Sequence, residues 1–193
     1  MEKNNETRTL TADMDLPTVF LKQGEYFISD KGPALIRAIL GSCVAVTMHC
    51  PVLRIGGITH SLLPYPLPGA SIPHGNYGRF VDASVKYVFE RMMSLGIRKE
   101  TLEVKVFGGG QLLTRLTGRP SEIEINIGRR NVETALKVIG ELGLKVTATD
   151  VGGNLGRKLI FYPHQGDVWV KKIVRGAVQT GSLDAAPDSS ANP

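Results

Sequence analysis

The stretch Leu40-Gly41-Ser42-Cys43-Val44-Ala45-Val46, followed by Gly56-Gly57-Ile58-Thr59-His60-Ser61-Leu62-Leu63-Pro64, constrains this chain more than any other. Both halves read as strands. Val44, Val46 and Met48 alternate with smaller or polar residues, and Ile55, Ile58, Leu62 and Leu63 supply a second apolar run. Between them Cys50-Pro51-Val52-Leu53 reads as a turn, with Pro51 pre-setting the φ that the second position of a type I turn wants. A fold back about Pro51-Val52 sets Cys43 opposite His60, with Cβ atoms about 5 Å apart in an antiparallel pair. A slip of one residue would send the two side chains to opposite faces.

A thiol beside an imidazole is a nucleophile beside a base. A free thiol titrates near about 8.5, and a neighbouring imidazolium favours the thiolate; the same ring can then protonate a leaving group. Gly41 and Ser42 let backbone approach a substrate closely, and amides around Cys43 can donate to an oxyanion. Ser42, Thr59 and Gly109 are the candidate oxyanion or substrate contacts. Thr59 and Ser61 flank His60 but point to the other face of its strand. The plainer alternative is a buried cysteine acting as a small hydrophobe and a histidine satisfied within the core. A zinc site from Cys43, His49, Cys50 and His60 is disfavoured, because strict alternation points Cys43 and Cys50 to opposite faces. The reading calls for no metal and no cofactor.

At 193 residues and 42% hydrophobic, the chain can bury one domain's core. Its formal charge of +5 suits an acidic protein surface, and it is too diffuse to argue nucleic acid, since only pairs such as Arg129-Arg130 and Lys171-Lys172 cluster. Two cysteines make no disulfide framework. The start lacks a signal-peptide pattern, and Arg37 and Arg54 interrupt the one long apolar candidate, so a cytoplasmic protein with no membrane insertion is expected. Residues 1–20 and 176–193 have the composition of disorder, leaving 21–175 as the folded domain.

Strands are expected at 24–29, 34–40, 102–107 and 144–149, with a closing hairpin of 158–162 and 168–173 that leaves His164 in its turn. Helices are expected at 79–95, capped by Gly96, and at 131–142, with Asn131 as N-cap. The proline- and glycine-rich loop 65–77 is either a lid or substrate-contacting wall, or an irregular connection. Gly108-Gly109-Gly110 lacks a P-loop lysine and suits a close backbone approach to the site or a tight turn. The whole reads as an α/β single-domain sandwich, a mixed β-sheet covered by two main helices.

Several motifs occur in a fixed order over residues 24–175: Leu40 to Val46, Gly56-Gly57 ahead of His60, Leu62-Leu63-Pro64, Gly108-Gly109-Gly110, Asn126-Ile127-Gly128-Arg129-Arg130-Asn131, and Asp150-Val151-Gly152-Gly153-Asn154. In this order they resemble the chemoreceptor glutamine deamidases of bacterial chemotaxis, the CheD family. The resemblance implies a CheD-like fold, Cys43 as nucleophile and His60 as its base. It implies glutamines on chemoreceptor cytoplasmic helices as substrate, and a CheC-type phosphatase as a further partner. The family places a threonine in the strand before the cysteine motif, where Ala34-Leu35-Ile36-Arg37-Ala38-Ile39 holds no hydroxyl. The third catalytic position is therefore unassigned, with a backbone carbonyl as one substitute. Protease and transglutaminase chemistry use the same pair, and only the resemblance selects deamidation. A catalytically weakened adaptor that binds receptors or a CheC-type phosphatase is the alternative.

Overall fold

A computed structural model describes residues 16–67, 69–73, 75–111 and 122–173. In chain order these form β1 (Thr18–Phe20), β2 (Glu25–Ile28), β3 (Leu35–Leu40), β4 (Val44–Cys50), β5 (Ile55–His60), α1 (Val81–Ser94), β6 (Glu103–Gly108), α2 (Glu122–Glu141), β7 (Val146–Val151), β8 (Gly156–Tyr162) and β9 (Asp167–Ile173). The strands make a five-stranded sheet, β2-β5-β4-β6-β7, and a four-stranded sheet, β1-β3-β8-β9. Each is mixed, because β1 runs parallel to β3 and β6 parallel to β7.

The layering follows from β4, every residue of which is buried. Val44, Val46, Met48 and Cys50 face the helices, packing with Val85, Val88 and Met92 of α1 and Ala135, Val138 and Ile139 of α2. Cys43 and Ala45 face the opposite way, into a second core with Ile36, Leu40, Leu159 and Phe161 of the four-stranded sheet. The five-stranded sheet is thus the middle of three layers, and a strand covered on both faces loses the apolar-in, polar-out pattern of a surface strand. The α/β sandwich with two helices stands, with its mixed strands divided between two sheets rather than one.

Three expectations need correction. Residues 18–20, assigned from composition to a disordered extension, form β1, which pairs with Leu35, Ile36 and Arg37. The second helix begins at Glu122 rather than at Asn131, so Asn131 is buried in mid-helix and caps nothing. The third concerns the β4–β5 hairpin. Its loop comprises residues 51–54, with Arg54 at φ 54, and Thr47 pairs with Ile58 and Cys50 with Ile55. Four loop residues instead of two move the register by two, which keeps every side chain on its face. The expected tail 176–193 and residues 1–15 of the expected extension lie outside the described residues.

Candidate active site

Cys43 enters β4 from the Gly41-Ser42 turn, and its face is the one it shares with His60 at the end of β5. In the observed register Val44 bridges Ser61, so His60 is the diagonal neighbour of Cys43 and not its direct partner. Diagonal pairs sit about 7–8 Å apart, within reach of an imidazole. The ladder is open between: the Val46 N–H donates to Thr59 Oγ1 at 3.1 Å instead of to backbone.

His60 is held by one hydrogen bond. Its Nδ1 lies 3.0 Å from the Leu21 carbonyl oxygen. A carbonyl can only accept, so Nδ1 carries the proton and Nε2 is the basic lone pair. Nε2 is buried and, among the described residues, has no hydrogen-bond partner. Leu21 is fixed in turn, its N–H donating to the Arg37 carbonyl at 2.8 Å as an extension of the β1–β3 pairing. An orienting group exists after all, on the main chain, where no side-chain pattern could reveal it.

Both groups are buried. Cys43 is 4% exposed and His60 2%. Burial pushes the Cys43 thiol up to about 11, its own backbone amide pulling slightly the other way. Burial also lowers His60, against the Leu21 carbonyl and the Glu25 charge, which raise it. The resting pair is neutral thiol and neutral imidazole, not the thiolate–imidazolium pair that simple proximity suggests.

The glycine motif braces the Cys43 turn from behind. The Gly109 N–H donates to the Cys43 carbonyl and the Gly110 N–H to the Gly41 carbonyl, each at 2.8 Å. The Gly109 amide is therefore engaged with backbone in this state. Its φ of +64 and its contact with α2, where a Cβ at Gly128 would lie 2.6 Å from the Gly109 oxygen, account for the glycines. Thr59 lies on the helix-facing side, its hydroxyl used by Val46. Ser42 stays partly exposed beside Cys43, and its carbonyl accepts from Asn131 Nδ2 at 2.9 Å.

Two residues matter more than their sequence context suggested. Asn131 Nδ2 also donates to the Leu62 carbonyl at 2.8 Å, so one amide ties the cysteine turn to the segment after the histidine. Arg157, 2% exposed, donates from Nη2 to Asp150 Oδ1 and to the Gly152 carbonyl, both at 2.9 Å. The Gly152 N–H reaches the Gly108 carbonyl, so this ion pair, its arginine buried and its carboxylate partly exposed, steadies the glycines behind Cys43. An arginine at an inward position of β8, which needs a charged partner, was the available signal. His49 and Cys50 stand at the far end of β4, with Cys50 among the helices, so the four residues of the zinc alternative do not gather. His164 lies in the β8–β9 turn, as its position in the sequence suggests. Of loop 65–77, Tyr65 accepts from Arg130 Nη2 at 2.6 Å, while residues 68 and 74 lie outside the described set.

Sequence comparison matches residues 62–172 to the CheD family, described as CheD chemotactic sensory transduction. A protein of Maridesulfovibrio salexigens named "Probable chemoreceptor glutamine deamidase CheD" is 42% identical over 82% of this chain and 94% of its own length. A Geobacter sulfurreducens protein named "Probable chemoreceptor glutamine deamidase CheD 2" is 42% identical over 83% of this chain and 92% of its own. Among solved structures, the hypothetical protein YfiH of Bacillus licheniformis is similar at a TM-score of 0.44 and 10% identity, over 76% of this chain and 68% of that one.

Proposed function

The chain belongs to the CheD family, and on that premise we propose that it deamidates glutamine side chains of chemoreceptors to glutamate, with Cys43 as nucleophile and His60 as base. The single observation that supports this assignment of roles is the His60 Nε2 lone pair, buried, unpartnered and fixed in its tautomer by Leu21 on the face of Cys43.

Cys43 Sγ attacks the amide carbon while its proton passes to His60 Nε2. Starting from two neutral groups, the proton moves as the C–S bond forms, so no free thiolate has to be sustained in a buried site. His60 then returns that proton to the departing nitrogen, and ammonia leaves. Water attacks the thioester with His60 Nε2 again taking the proton, releasing glutamate and the thiol. The Leu21 carbonyl steadies the imidazolium at each stage, the part a third side chain plays elsewhere. Of the candidate contacts Ser42, Thr59 and Gly109, only Ser42 is partly exposed. Chemoreceptor cytoplasmic domains are the protein substrate in this reading, the cytoplasm its setting, and a CheC-type phosphatase a further partner. Among the described residues no helix is long and apolar enough to cross a membrane.

Mass spectrometry of a chemoreceptor cytoplasmic fragment after incubation tests the proposal. Wild type converts Gln to Glu. Cys43→Ala and His60→Ala each lose at least about 10³-fold of that rate while keeping a cooperative thermal transition, because members of such a unit fail together. Full activity in either variant removes the mechanism. No conversion by folded wild type favours the adaptor.

A further inference from the structure

The outer face of the four-stranded sheet has no layer over it among the described residues. Ile36, Ala38, Leu40, Leu159 and Phe161 point inward, so the alternate residues point out. The strand registers align them in rows. Phe20 stands beside Arg37, Arg37 beside Ile160, and Ile160 beside Trp169, one row across all four strands. In the next row Ile39 stands beside Lys158 and Lys158 beside Lys171. Strands about 4.8 Å apart make this platform about 14 Å wide.

Its side chains are unusual for a free surface. Phe20 is 68% exposed, Ile39 62% and Trp169 67%. Large apolar groups left in water on one face mark a surface built to be covered. Between them lie the charges of Arg37, Lys158 and Lys171, with Lys22 at the rim, and Arg37 sits over the Phe20 ring at 6.0 Å. Among the described residues none of these four makes an ion pair with a carboxylate. The nearby acids are Asp167 at one corner and Glu25, which accepts from the Lys22 backbone N–H at 2.7 Å.

The platform leads to the site. β1 pairs only as far as Arg37, whereas β3 continues to Leu40, so the edge of β3 beyond Arg37 lacks a partner strand. There a groove of about 740 Å³ opens, lined by Phe20, Lys22, Arg37, Ile39, Lys158 and His60, so it reaches the pair from the side of the histidine and not of Cys43.

We propose that this face docks an acidic, amphipathic helical segment of the substrate protein and delivers its glutamine along the groove to His60. The inference rests on the deamidase reading and deepens it. An extended peptide would add to a sheet edge, whereas a partner lying on the face must bind through side chains, as a helix does. Cations interleaved with apolar rings complement a helix with carboxylates flanking an apolar stripe. Deamidation itself makes carboxylates, so a segment holding several target glutamines grows more acidic as they are converted.

Trp169 is the chain's one tryptophan, which gives a binding readout independent of turnover. A tryptophan-free chemoreceptor cytoplasmic fragment is titrated into Cys43→Ala while emission and acrylamide quenching are followed. Expected are a blue shift, protection from quenching, and an affinity that falls about tenfold in Lys158→Glu/Lys171→Glu and returns in Lys158→Arg/Lys171→Arg. Binding that leaves Trp169 emission unchanged, or that ignores the charge reversal, overturns the docking face. So does the absence of binding, or an emission that shifts with protein concentration without fragment, which assigns the face to a second copy, or with deletion of residues 174–193, which assigns it to the chain's own tail. Failure of wild type to convert glutamine in the mass-spectrometric assay instead strikes the deamidase reading, and the Trp169 titration reads the docking face separately.

Discussion

Cys43 and His60 are set up as an uncharged pair, and that separates this site from one that stores a thiolate. With the thiol held up at about 11 by burial, only about 1 in 10⁴ molecules carries the thiolate at pH 7, against a few per cent for a free cysteine. Alkylation of Cys43 by iodoacetamide, read on the Cys43 peptide, is therefore expected to run about 300-fold slower at pH 7 than that of a free thiol and to keep rising toward about pH 11. His60→Ala should leave it slow, since the cause is burial and not the ring. A fast reaction at neutral pH would reveal a preformed ion pair. The same residue scale shows what a sequence can hide. That Cys43 and His60 share one face of the sheet was readable because strand alternation carries it. The group that fixes the imidazole is the Leu21 carbonyl, and every residue owns a carbonyl. Asn131 misled for a related reason: asparagine is a good N-cap, and nothing local distinguishes that use from its reach across to Ser42 and Leu62.

At the scale of elements, β5 is the thinnest point of the three layers. A Cβ at Gly57 would lie 2.7 Å from Val88 Cγ1 of α1 and 3.2 Å from Met92 Sδ, and one at Gly56 would lie 2.6 Å from the Pro163 carbonyl on the opposite face. Helix and β8–β9 turn thus close on β5 from both sides just before His60. Gly57→Ala forces α1 outward, and overpacking of this kind costs about 1–3 kcal/mol, or a fall of about 3–10 °C in Tm by thermal denaturation. An unchanged Tm would mean that α1 can yield freely. The element pattern itself was largely legible: periods of two and of 3.6 residues located strands 2 to 9 and α1 to within a few residues. What failed was counting. Pro51 signalled the hairpin, yet turn residues alone did not separate a two-residue from a four-residue loop, and the register moved with it. Three residues are too short for a period to show, so β1 was invisible, although it carries the chain into Leu21.

The whole molecule's stability should record the same buried groups as a dependence on pH. His60 and His49 are both lowered by burial; Glu103, 3.8 Å from His49 Nδ1, and the backbone at His164 pull His49 upward, while Lys105 pushes it down. A histidine whose folded value lies below its unfolded one binds its proton more readily when unfolded, so folding is unaffected above about pH 6.5 and loses stability as pH falls below it. Cys43 works in the opposite sense. Its folded value, about 11, lies above the ordinary 9.0, so the folded chain holds the proton more tightly and stability falls as pH rises from about 9 toward 11. That interval corresponds to about 3 kcal/mol when fully traversed. Tyr26, raised to about 12 chiefly by its hydrogen bond with Tyr87, adds to the alkaline loss only above about pH 10. Tm is accordingly expected to form a plateau between about pH 6.5 and 9 with a falling limb on each side. Cys43→Ala should flatten the alkaline limb between pH 9 and 10 and leave the acid limb untouched, while His49→Gln should make the acid limb shallower. An alkaline limb that persists in Cys43→Ala would place the responsible group elsewhere and remove the case for a protonated resting Cys43.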